Sequence, residues 1–337
     1  MTPSATIPSS PVRSPLPGTS PDLPDTVGRH ESGREWLAGL PALIAEVRDR
    51  WALRLGQPYG GGSCAWVAPV TLADGGTAVL KIAWPHRESA GEAEALRRWD
   101  GQGAVRLLRH DPVRHAMLLQ RCQPGGKLAD AELPARERLL VGAELLATLW
   151  RAPAPDVRGL DCPVPGGCGL GGPVVGGFER LADVAAEWAE LTGERIRRHR
   201  PAYDPGLVAL GVRLLRELPA SATREVILHG DFNPGNVLDA GPDGWLVIDA
   251  KPMVGDPAYD PWPLLEQVDD VFRQPYRVLA ERTRLLADAL GEDPRRIAAW
   301  AVARRVESAL WYLGVGYPPG GTEKMAQLRT LARLAEL

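Results

Sequence analysis

Three oxygen-bearing side chains in the C-terminal half of the sequence have types and spacing that could handle a phosphate. Asp231 and Asn236 lie in the stretch LHGDFNPGN, directly after the apolar run EVIL, and Asp249 ends the later run WLVID. Asn, Asp, Gly and Pro also favour ordinary turns, which is the simplest interpretation of this loop. Two short strands, NVLD and WLVID, joined by the turn AGPDG would however return Asp249 to the loop before the first strand. A carboxylate and an amide oxygen together suit Mg²⁺, and the second carboxylate could accept a hydroxyl proton.

Kinases divide the work of phosphoryl transfer in this way, and they also need a cation on the nucleotide phosphates. Lys81, inside the apolar run TAVLKIAW, is the candidate, because a buried ammonium must find a counter-charge. Glu92 in the following helix is its expected partner, with Glu88 and Glu94 as alternatives. A lysine can also protect an edge strand from aggregation. Only four of the 39 basic residues are lysine, which favours the phosphate role, since an arginine would protect an edge equally well.

The stretch YGGGSCAWV precedes the Lys81 strand and could cover a phosphate, because Gly60, Gly61 and Gly62 would allow close approach of the backbone. It matches neither the dinucleotide-binding nor the P-loop pattern, and a hairpin turn explains it equally well. Its position ahead of Lys81 is what supports the phosphate interpretation.

Two residues beside the central loop have open roles. His229 could be catalytic, but orienting the loop by hydrogen bonds is the preferred interpretation. Lys251 follows Asp249 by two positions and could contact phosphate or pair with Asp256 or Asp260. The sequence does not decide between these alternatives.

The elements that would position these residues fall into two regions. We expect a disordered tail over residues 1–30, which are rich in Pro, Ser and Thr, and an amphipathic helix that begins near Pro41. Five strand-like runs and one helix predict a small antiparallel lobe over 31–119: WALRL, AWVAPVTL, TAVLKIAW, RESAGEAEALRRWD (the helix), AVRLLRHD and HAMLLQ. A Pro/Gly hinge is expected over 120–126. The remainder, 127–337, should form a larger, mainly helical lobe, with helices over 134–151, 178–199, 204–218 and 295–314.

Composition limits the functions to consider. The 337 residues suffice for one bilobal unit or two domains, and a net charge of −3 gives no support for nucleic-acid or membrane binding by bulk electrostatics. No apolar run reaches the roughly 20 residues of a membrane helix, and the N-terminus lacks a signal-peptide core. The four cysteines are scattered, so a zinc site at Cys162 and Cys168 is disfavoured. We expect a cytoplasmic monomer or weak dimer with reduced thiols.

Taken together, these segments resemble a known family. LHGDFNPGNVL and WLVIDAKPMVGDPAYD are similar to the catalytic and metal-binding segments of the aminoglycoside phosphotransferases, in particular the aminoglycoside/hydroxyurea antibiotic resistance kinases. GREWLAGLPALIAEVRDRW, AVLKIAWPHRESAGEAEALRRWDGQGAVRLL and MLLQRCQPGGKL resemble the same subfamily. The resemblance runs from about residue 33 to the C-terminal helices, and it implies an α+β, protein-kinase-like bilobal fold that acts on a small molecule.

The resemblance also implies roles for individual residues. Asp231 would be the catalytic base, and Asn236 and Asp249 would bind Mg²⁺. Lys81 would hold the phosphates of ATP, oriented by Glu92. The nucleotide would further meet the glycine-rich loop and the backbone of the hinge, at Gly61, Gly62, Ser63, Gln120 and Cys122. The loop at 60–63 departs from a full glycine signature, so the resemblance does not specify which of its groups makes which contact with the nucleotide.

The acceptor is the least determined part. An aminoglycoside such as streptomycin, phosphorylated on its 6-hydroxyl, is one candidate and hydroxyurea is another. Streptomycin carries guanidinium groups and should need an acidic site, for which the sequence offers Asp256, Asp260, Glu266, Asp269 and Asp270. These carboxylates could equally be helix-start or solvent-facing charges. A metabolic small-molecule kinase and a non-catalytic nucleotide-binding pseudokinase are the alternative functions, although the presence of a base argues against the second.

Overall fold

The computed structural model describes residues 23, 27–60, 64–155, 174–175 and 177–337, and the chain forms two compact units. The first unit comprises the chain up to Trp84 together with Arg109–Leu119, and the second comprises Pro85–Leu108 together with Gln120–Leu337. The border after Leu119 lies at the start of the predicted hinge. The segment 85–108 is grouped with the second unit, whereas the sequence prediction places it in a 31–119 lobe. Its packing explains this grouping, because Gly91 lies against Pro252 and Phe178 of the second unit.

Helix α1 (Glu31–Arg50) opens the described part of the first unit. It begins ten residues before the position predicted from Pro41, and Pro41 lies inside it. The reason is burial: Leu37 and Leu40, before the proline, pack into the same core as Val47 after it. This packing outweighs the backbone hydrogen bond that a proline removes from a helix interior.

The first unit is built on a five-stranded antiparallel sheet of order β1-β2-β3-β5-β4. Its strands are β1 (Arg54–Leu55), β2 (Ala65–Thr71), β3 (Thr77–Ala83), β4 (Leu107–Asp111) and β5 (Ala116–Gln120). The turn predicted at ADGG joins β2 and β3, with Gly75 at φ +88°. Trp66, Leu80 and Ile82 bury their side chains in the core of this unit. The sheet therefore confirms the five-stranded prediction.

Two residues of the predicted N-terminal tail belong to this core. Leu23 and Val27 are fully buried and belong to the hydrophobic core of the first unit. The other residues before position 27 lie outside the described part of the chain. At these two positions the expectation of a disordered 1–30 segment needs correction, because both side chains are packed.

The second unit is mainly helical. Its helices are α2 (Glu92–Trp99), α3 (Ala135–Leu149), α4 (Leu181–His199), α5 (Pro205–Ala220), α6 (Trp262–Gln267), α7 (Tyr276–Leu290), α8 (Pro294–Gly314) and α9 (Pro318–Leu334). The bounds of α3, α4, α5 and α8 lie close to the predicted ones, whereas no individual bounds were predicted for α6, α7 and α9. Helix α2 begins at Glu92, and a 3₁₀ turn over Arg87–Ser89 replaces the first part of the expected helix. Helix α8 is buried along most of its length, including Trp300.

Short strands in the second unit hold the polar loop. β6 (Val174–Val175), β7 (Phe178–Arg180), β8 (Val226–Leu228) and β11 (Met253–Gly255) form a sheet of order β6-β7-β11-β8. β9 (Val237–Asp239) and β10 (Trp245–Val247) form a separate antiparallel hairpin. Within the described residues, no helix has the length and apolar character to cross a bilayer.

Candidate active site

Strand β8 delivers the chain into the polar loop through a histidine and a glycine. All three residues of β8 are buried, and His229 behind them is fully buried as well. Gly230 has φ +81°, and a Cβ at this position would lie 1.9 Å from the carbonyl oxygen of Lys251. Both the left-handed backbone and the close approach require glycine here. The loop thus turns sharply and brings Asp231 out of the sheet.

A buried carboxylate fixes this turn. Asp260 accepts hydrogen bonds from the backbone N–H of His229 (2.8 Å) and of Gly230 (2.9 Å). The indole N–H of Trp150 also donates to it at 3.3 Å. Burial raises the pKa of the Asp260 carboxyl, while His229 and these donors act in the opposite direction. Asp260 therefore serves as a structural cap of the loop.

His229 orients the loop from beneath. Its Nδ1 accepts the backbone N–H of Asp231 at 3.3 Å, and its Nε2 lies 3.1 Å from the carbonyl oxygen of Ile248. Because Nδ1 must accept and a carbonyl cannot donate, the proton belongs on Nε2. Complete burial lowers the pKa of His229, which favours this neutral form. These contacts agree with the orienting role preferred from the sequence.

The two asparagines of the loop are tied to Asp231. The amide nitrogen Nδ2 of Asn236 donates to the Asp231 carbonyl oxygen at 3.0 Å, which turns Oδ1 of Asn236 to the other side as an oxygen ligand. Asn233, which the sequence analysis missed, donates to Oδ1 of Asp231 at 3.3 Å and to its carbonyl oxygen at 3.2 Å. Its own Oδ1 accepts the N–H of Gly235. An asparagine directly before Pro-Gly is a turn signal that could have pointed to this role.

The hairpin returns Asp249 to the loop. In the register of β9 and β10, Val237 pairs with Val247, and the N–H of Ile248 donates to the carbonyl oxygen of Asn236 at 2.9 Å. Asp249 is the next residue, exposed and at φ +60°, a left-handed conformation that is uncommon outside glycine. Strain of this kind concentrates at functional sites. Asn236 and Asp249 are thus neighbours in space as well as in the predicted role.

Asn236 and Asp249 stay the predicted ligands of Mg²⁺, because an amide oxygen and a carboxylate are the hard oxygen donors that this ion takes. Mg²⁺ is held by one or two protein oxygens, together with waters and substrate phosphates. Among the described residues, this site included, no group of three or more His, Cys, Asp or Glu is arranged to hold a metal. Cys162 and Cys168, considered for zinc, lie outside the described residues.

Lys251 has partners that the sequence analysis did not expect. Its Nζ lies 3.3 Å from Oδ2 of Asp231 and 3.4 Å from Oε2 of Glu88. Burial acts to lower the pKa of Lys251, but the charges of Asp231, Glu88 and Asp249 outweigh burial and raise the pKa. Asp256 and Asp260, the partners considered from the sequence, are engaged elsewhere.

Asp231 and Lys251 line a cavity of about 240 Å³ in the second unit. Its wall carries further carboxylates, cations and two aromatic rings, namely Glu88, Glu179, Glu307, Arg87, Arg304, Trp188 and Tyr259. Arg87 pairs with Glu179 at 2.7 Å, and Glu307 pairs with Arg195 at 3.0 Å. The cavity offers the candidate base Asp231 to a small polar molecule.

The carboxylates proposed from the sequence for a cationic acceptor have structural partners instead. Asp256 pairs with Arg296 and accepts the indole N–H of Trp300. Glu266 pairs with Arg305 and Lys324. Asp269 pairs with Arg138 and Arg282, and Asp270 pairs with Arg273. None of these residues lines the cavity. The carboxylates that do line the cavity are Glu88, Glu179 and Glu307, and the same wall carries the cations Arg87, Lys251 and Arg304.

The predicted nucleotide residues are distributed over both units. Lys81 is buried in β3 of the first unit and Glu92 is buried at the start of α2 in the second, so their ion pair stays a prediction. Gly61, Gly62 and Ser63 lie outside the described residues. The backbone N–H of Gln120 is taken by the carbonyl oxygen of Arg106 at 2.9 Å. Burial raises the pKa of the Cys122 thiol to about 11, so this thiol stays protonated at neutral pH.

Sequence relatives place this site in a family. Residues 50–160 and 179–316 match the family described as aminoglycoside/hydroxyurea antibiotic resistance kinase. The streptomycin 6-kinase of Streptomyces glaucescens is 38% identical over 291 residues, which cover 83% of this chain and 85% of the relative. The hydroxyurea phosphotransferase of Kitasatospora aureofaciens is 39% identical over 289 residues, which cover 83% of this chain and 75% of the relative.

The fold is shared with solved phosphotransferases. A spectinomycin phosphotransferase, crystallised with ADP and spectinomycin, superposes with a TM-score of 0.51 at 13% identity, covering 88% of this chain and 93% of that one. At this identity the likeness concerns the fold alone, which is protein-kinase-like as predicted. The sequence relatives, the family match and the fold all indicate a phosphotransferase. The chain is therefore a phosphotransferase that belongs to the aminoglycoside/hydroxyurea antibiotic resistance kinase family.

Proposed function

We propose that this protein transfers the γ-phosphoryl group of ATP to a hydroxyl of a small antibiotic, namely an aminoglycoside such as streptomycin at its 6-hydroxyl, and thereby inactivates it. The observation that carries this proposal is the cavity in which Asp231 stands beside Glu88, Glu179 and Glu307. Carboxylates and aromatic rings on the cavity wall can bind the guanidinium groups of such an acceptor. The similarity to the streptomycin 6-kinase supports the same acceptor.

In this proposal Asp231 is the catalytic base. Its side chain is 31% exposed and faces the cavity, so an acceptor hydroxyl can reach it. Asn233 donates a hydrogen bond to Oδ1 of Asp231, and the backbone N–H of Asp231 donates to Nδ1 of His229. The carboxylate is thereby held in one orientation to take the hydroxyl proton as the new bond to phosphorus forms.

A kinase of this family uses a nucleotide, and we assign its residues from the sequence motifs. Oδ1 of Asn236 and the carboxylate of Asp249 hold Mg²⁺, which neutralises phosphate charge when bound. Lys81, oriented by Glu92, and the loop containing Gly61, Gly62 and Ser63 hold the phosphates. At the hinge, the adenine meets the backbone carbonyl of Gln120 and the backbone of Cys122. The backbone N–H of Gln120 already donates to the carbonyl oxygen of Arg106, so the carbonyl oxygen of Gln120 is the group that would accept a hydrogen bond from the adenine.

Hydroxyurea is the second candidate acceptor, supported by the 39% identity to a hydroxyurea phosphotransferase. It is small and uncharged, so it would use Asp231 without needing the other carboxylates of the cavity wall. A metabolic kinase of the same fold would also use this base. A pseudokinase is disfavoured, because a protein that only binds nucleotide needs no buried network to orient a base.

The test is an ATP-consumption assay over a panel of streptomycin, other aminoglycosides, hydroxyurea and peptide antibiotics, with the products identified by mass spectrometry. We expect streptomycin to gain one phosphate on its 6-hydroxyl. Asp231→Asn should lower kcat by about 10³-fold while Mg-ATP binding survives. Asp270→Asn, which removes a surface carboxylate paired with Arg273, should leave the rate unchanged. Turnover of hydroxyurea alone would replace the aminoglycoside proposal, and substantial turnover by Asp231→Asn would refute the role of Asp231.

A further inference from the structure

Lys251 is fixed to the catalytic loop through its backbone. Its N–H donates to the carbonyl oxygen of His229 at 2.8 Å, and its own carbonyl oxygen lies over Gly230, where only a glycine leaves room. These contacts continue the antiparallel pairing of β8 with β11. The side chain of Lys251 therefore starts from a backbone that is held as firmly as that of Asp231.

The ammonium of Lys251 has long contacts to its present partners. Its distances are 3.3 Å to Asp231 and 3.4 Å to Glu88, and its side chain is 41% exposed. Charge-assisted N–H···O bonds are typically about 2.7–2.9 Å long. Both contacts are longer, so another anionic oxygen in the cavity can replace either of them at low cost.

Two arginines on the same wall are held more tightly. Arg87 makes short bonds to Glu179 (2.7 Å) and Glu187 (2.5 Å). Arg304 donates to the Tyr259 carbonyl oxygen at 3.1 Å, and its guanidinium lies 4.2 Å from the centre of the Tyr259 ring. Recruiting either arginine to a substrate would disturb these contacts, whereas Lys251 would give up only one of its two longer contacts.

We propose that Lys251 is a catalytic residue whose ammonium contacts the phosphoryl group during its transfer. This inference rests on the proposed phosphoryl transfer at Asp231. In that step the acceptor oxygen bonds to the γ-phosphorus as the bond from that phosphorus to the oxygen of ADP breaks, and ADP leaves with the electron pair. The hydroxyl proton passes to Asp231. Lys251 keeps its proton throughout and balances the charge on the phosphoryl oxygens.

The choice of lysine fits this role. In a chain with only four lysines among 39 basic residues, an arginine would be the expected cation for a simple ion pair. A compact ammonium on a flexible stem can turn from a carboxylate to a phosphoryl oxygen without matching a planar geometry. Glu88, 60% exposed, then acts as the second partner that keeps the ammonium at the cavity wall before the substrates bind.

The test measures binding of a planar phosphoryl mimic, formed from Mg-ADP and aluminium fluoride, to wild type and to Lys251→Met by calorimetry. We expect the variant to bind this complex about 100-fold more weakly, while its affinity for Mg-ADP alone stays within about twofold. Its kcat should fall by about 10²- to 10³-fold with little change in the KM of the acceptor. Lys251→Arg, which keeps the charge, should recover part of the affinity for the mimic and guards against a folding defect in the methionine variant.

The matched control is Lys324→Met, which removes a lysine 3.2 Å from Glu266, away from the cavity, and should not affect the mimic. Equal affinity of wild type and Lys251→Met for the mimic would overturn the inference. If wild type binds the mimic but phosphorylates no compound in the panel, the proposed acceptor fails while the Lys251 test still stands.

Discussion

Glu88 differs from the other carboxylates of the cavity wall in how it is held. Its side chain is 60% exposed and pairs with Lys251 at 3.4 Å. Glu179, by contrast, makes short bonds to Arg87, and Glu307 is paired with Arg195. A cationic group on an acceptor can therefore displace Lys251 from Glu88 more easily than it can displace an arginine. We take Glu88 as the carboxylate that recognises a charged acceptor.

The variant Glu88→Gln tests this assignment. It should raise the KM for streptomycin by about 10-fold, because a guanidinium loses a charged partner, and leave the KM for Mg-ATP unchanged. The KM for hydroxyurea, an uncharged acceptor, should also stay the same. The measurement is steady-state kinetics with each acceptor that the enzyme turns over.

Glu94→Gln is the matched control, since Glu94 lies six residues further along and pairs with Arg97 and Arg98 outside the cavity. It should change neither KM. An equal rise in KM for charged and uncharged acceptors after Glu88→Gln would mean that Glu88 shapes the cavity and does not recognise charge.

At this scale the sequence predicts that the candidate site residues lie close together better than it predicts the partners that hold them. Asp231, Asn236 and Asp249 follow from residue type, spacing and the geometry of a hairpin. The ion pair between Glu88 and Lys251 joins segments far apart in sequence, so no local sequence pattern predicts it. Asp260 illustrates the converse error: its negative charge suggested an acceptor site, yet it is buried beneath the loop as a cap.

At the scale of elements, the pairing of β8 with β11 decides where the loop can turn. The register places Leu228 opposite Met253, and the pairing extends to the backbone of His229 and Lys251. Gly230, just after β8, therefore lies directly against the backbone of Lys251, just before β11. Nothing larger than hydrogen fits on its α-carbon.

Gly230→Ala should lower the free energy of unfolding by roughly 3 kcal/mol and reduce activity strongly, because the added Cβ meets the Lys251 carbonyl oxygen at 1.9 Å. Gly291→Ala is the matched control: Gly291 also has a positive φ, +69°, but nothing lies within 4 Å of an added Cβ. That control should cost about 1 kcal/mol and leave activity intact. Chemical denaturation of both variants gives the comparison, and equal losses would show that backbone conformation alone requires glycine at position 230.

Element bounds were predictable where local signals agree with packing. The turn at ADGG and the start of α8 after Asp293, which caps the helix through its side chain, follow from local chemistry. The start of α1 does not, because Pro41 is a strong local signal and the burial of Leu37 and Leu40 overrides it. Strand β4 begins at Leu107, later than expected, because Ala104 pairs instead with Val247.

At the scale of the molecule, the core of the first unit reaches beyond its sheet and α1. Leu23 and Val27 belong to it, and an added Cβ on Gly33 of α1 would collide with Val27. The sequence does not predict the burial of these two residues, because the surrounding segment is rich in Pro, Ser and Thr and two isolated apolar residues give no periodic pattern. The end of the N-terminal segment is thus part of the folded first unit.

Leu23→Ala should destabilise the protein by about 3 kcal/mol, the cost of deleting a fully buried leucine side chain. Val113→Ala, in the same unit but 81% exposed, should change stability by less than about 0.5 kcal/mol. Thermal or urea unfolding measures both. A Leu23→Ala variant as stable as wild type would mean that the segment is dispensable for the first unit.

The division of the chain into two units has a consequence for its synthesis. The first unit is complete once residue 119 has been made, whereas 85–108 belongs to the second unit, which otherwise begins at Gln120. Domains tend to fold as units, N-terminal first, while the ribosome is still at work. The sheet of the first unit can therefore form before the segment 85–108 has met partners such as Lys251, which pairs with Glu88. That segment can complete its packing only after residue 252 has been translated, because Glu88 pairs with Lys251 and Gly91 lies against Pro252.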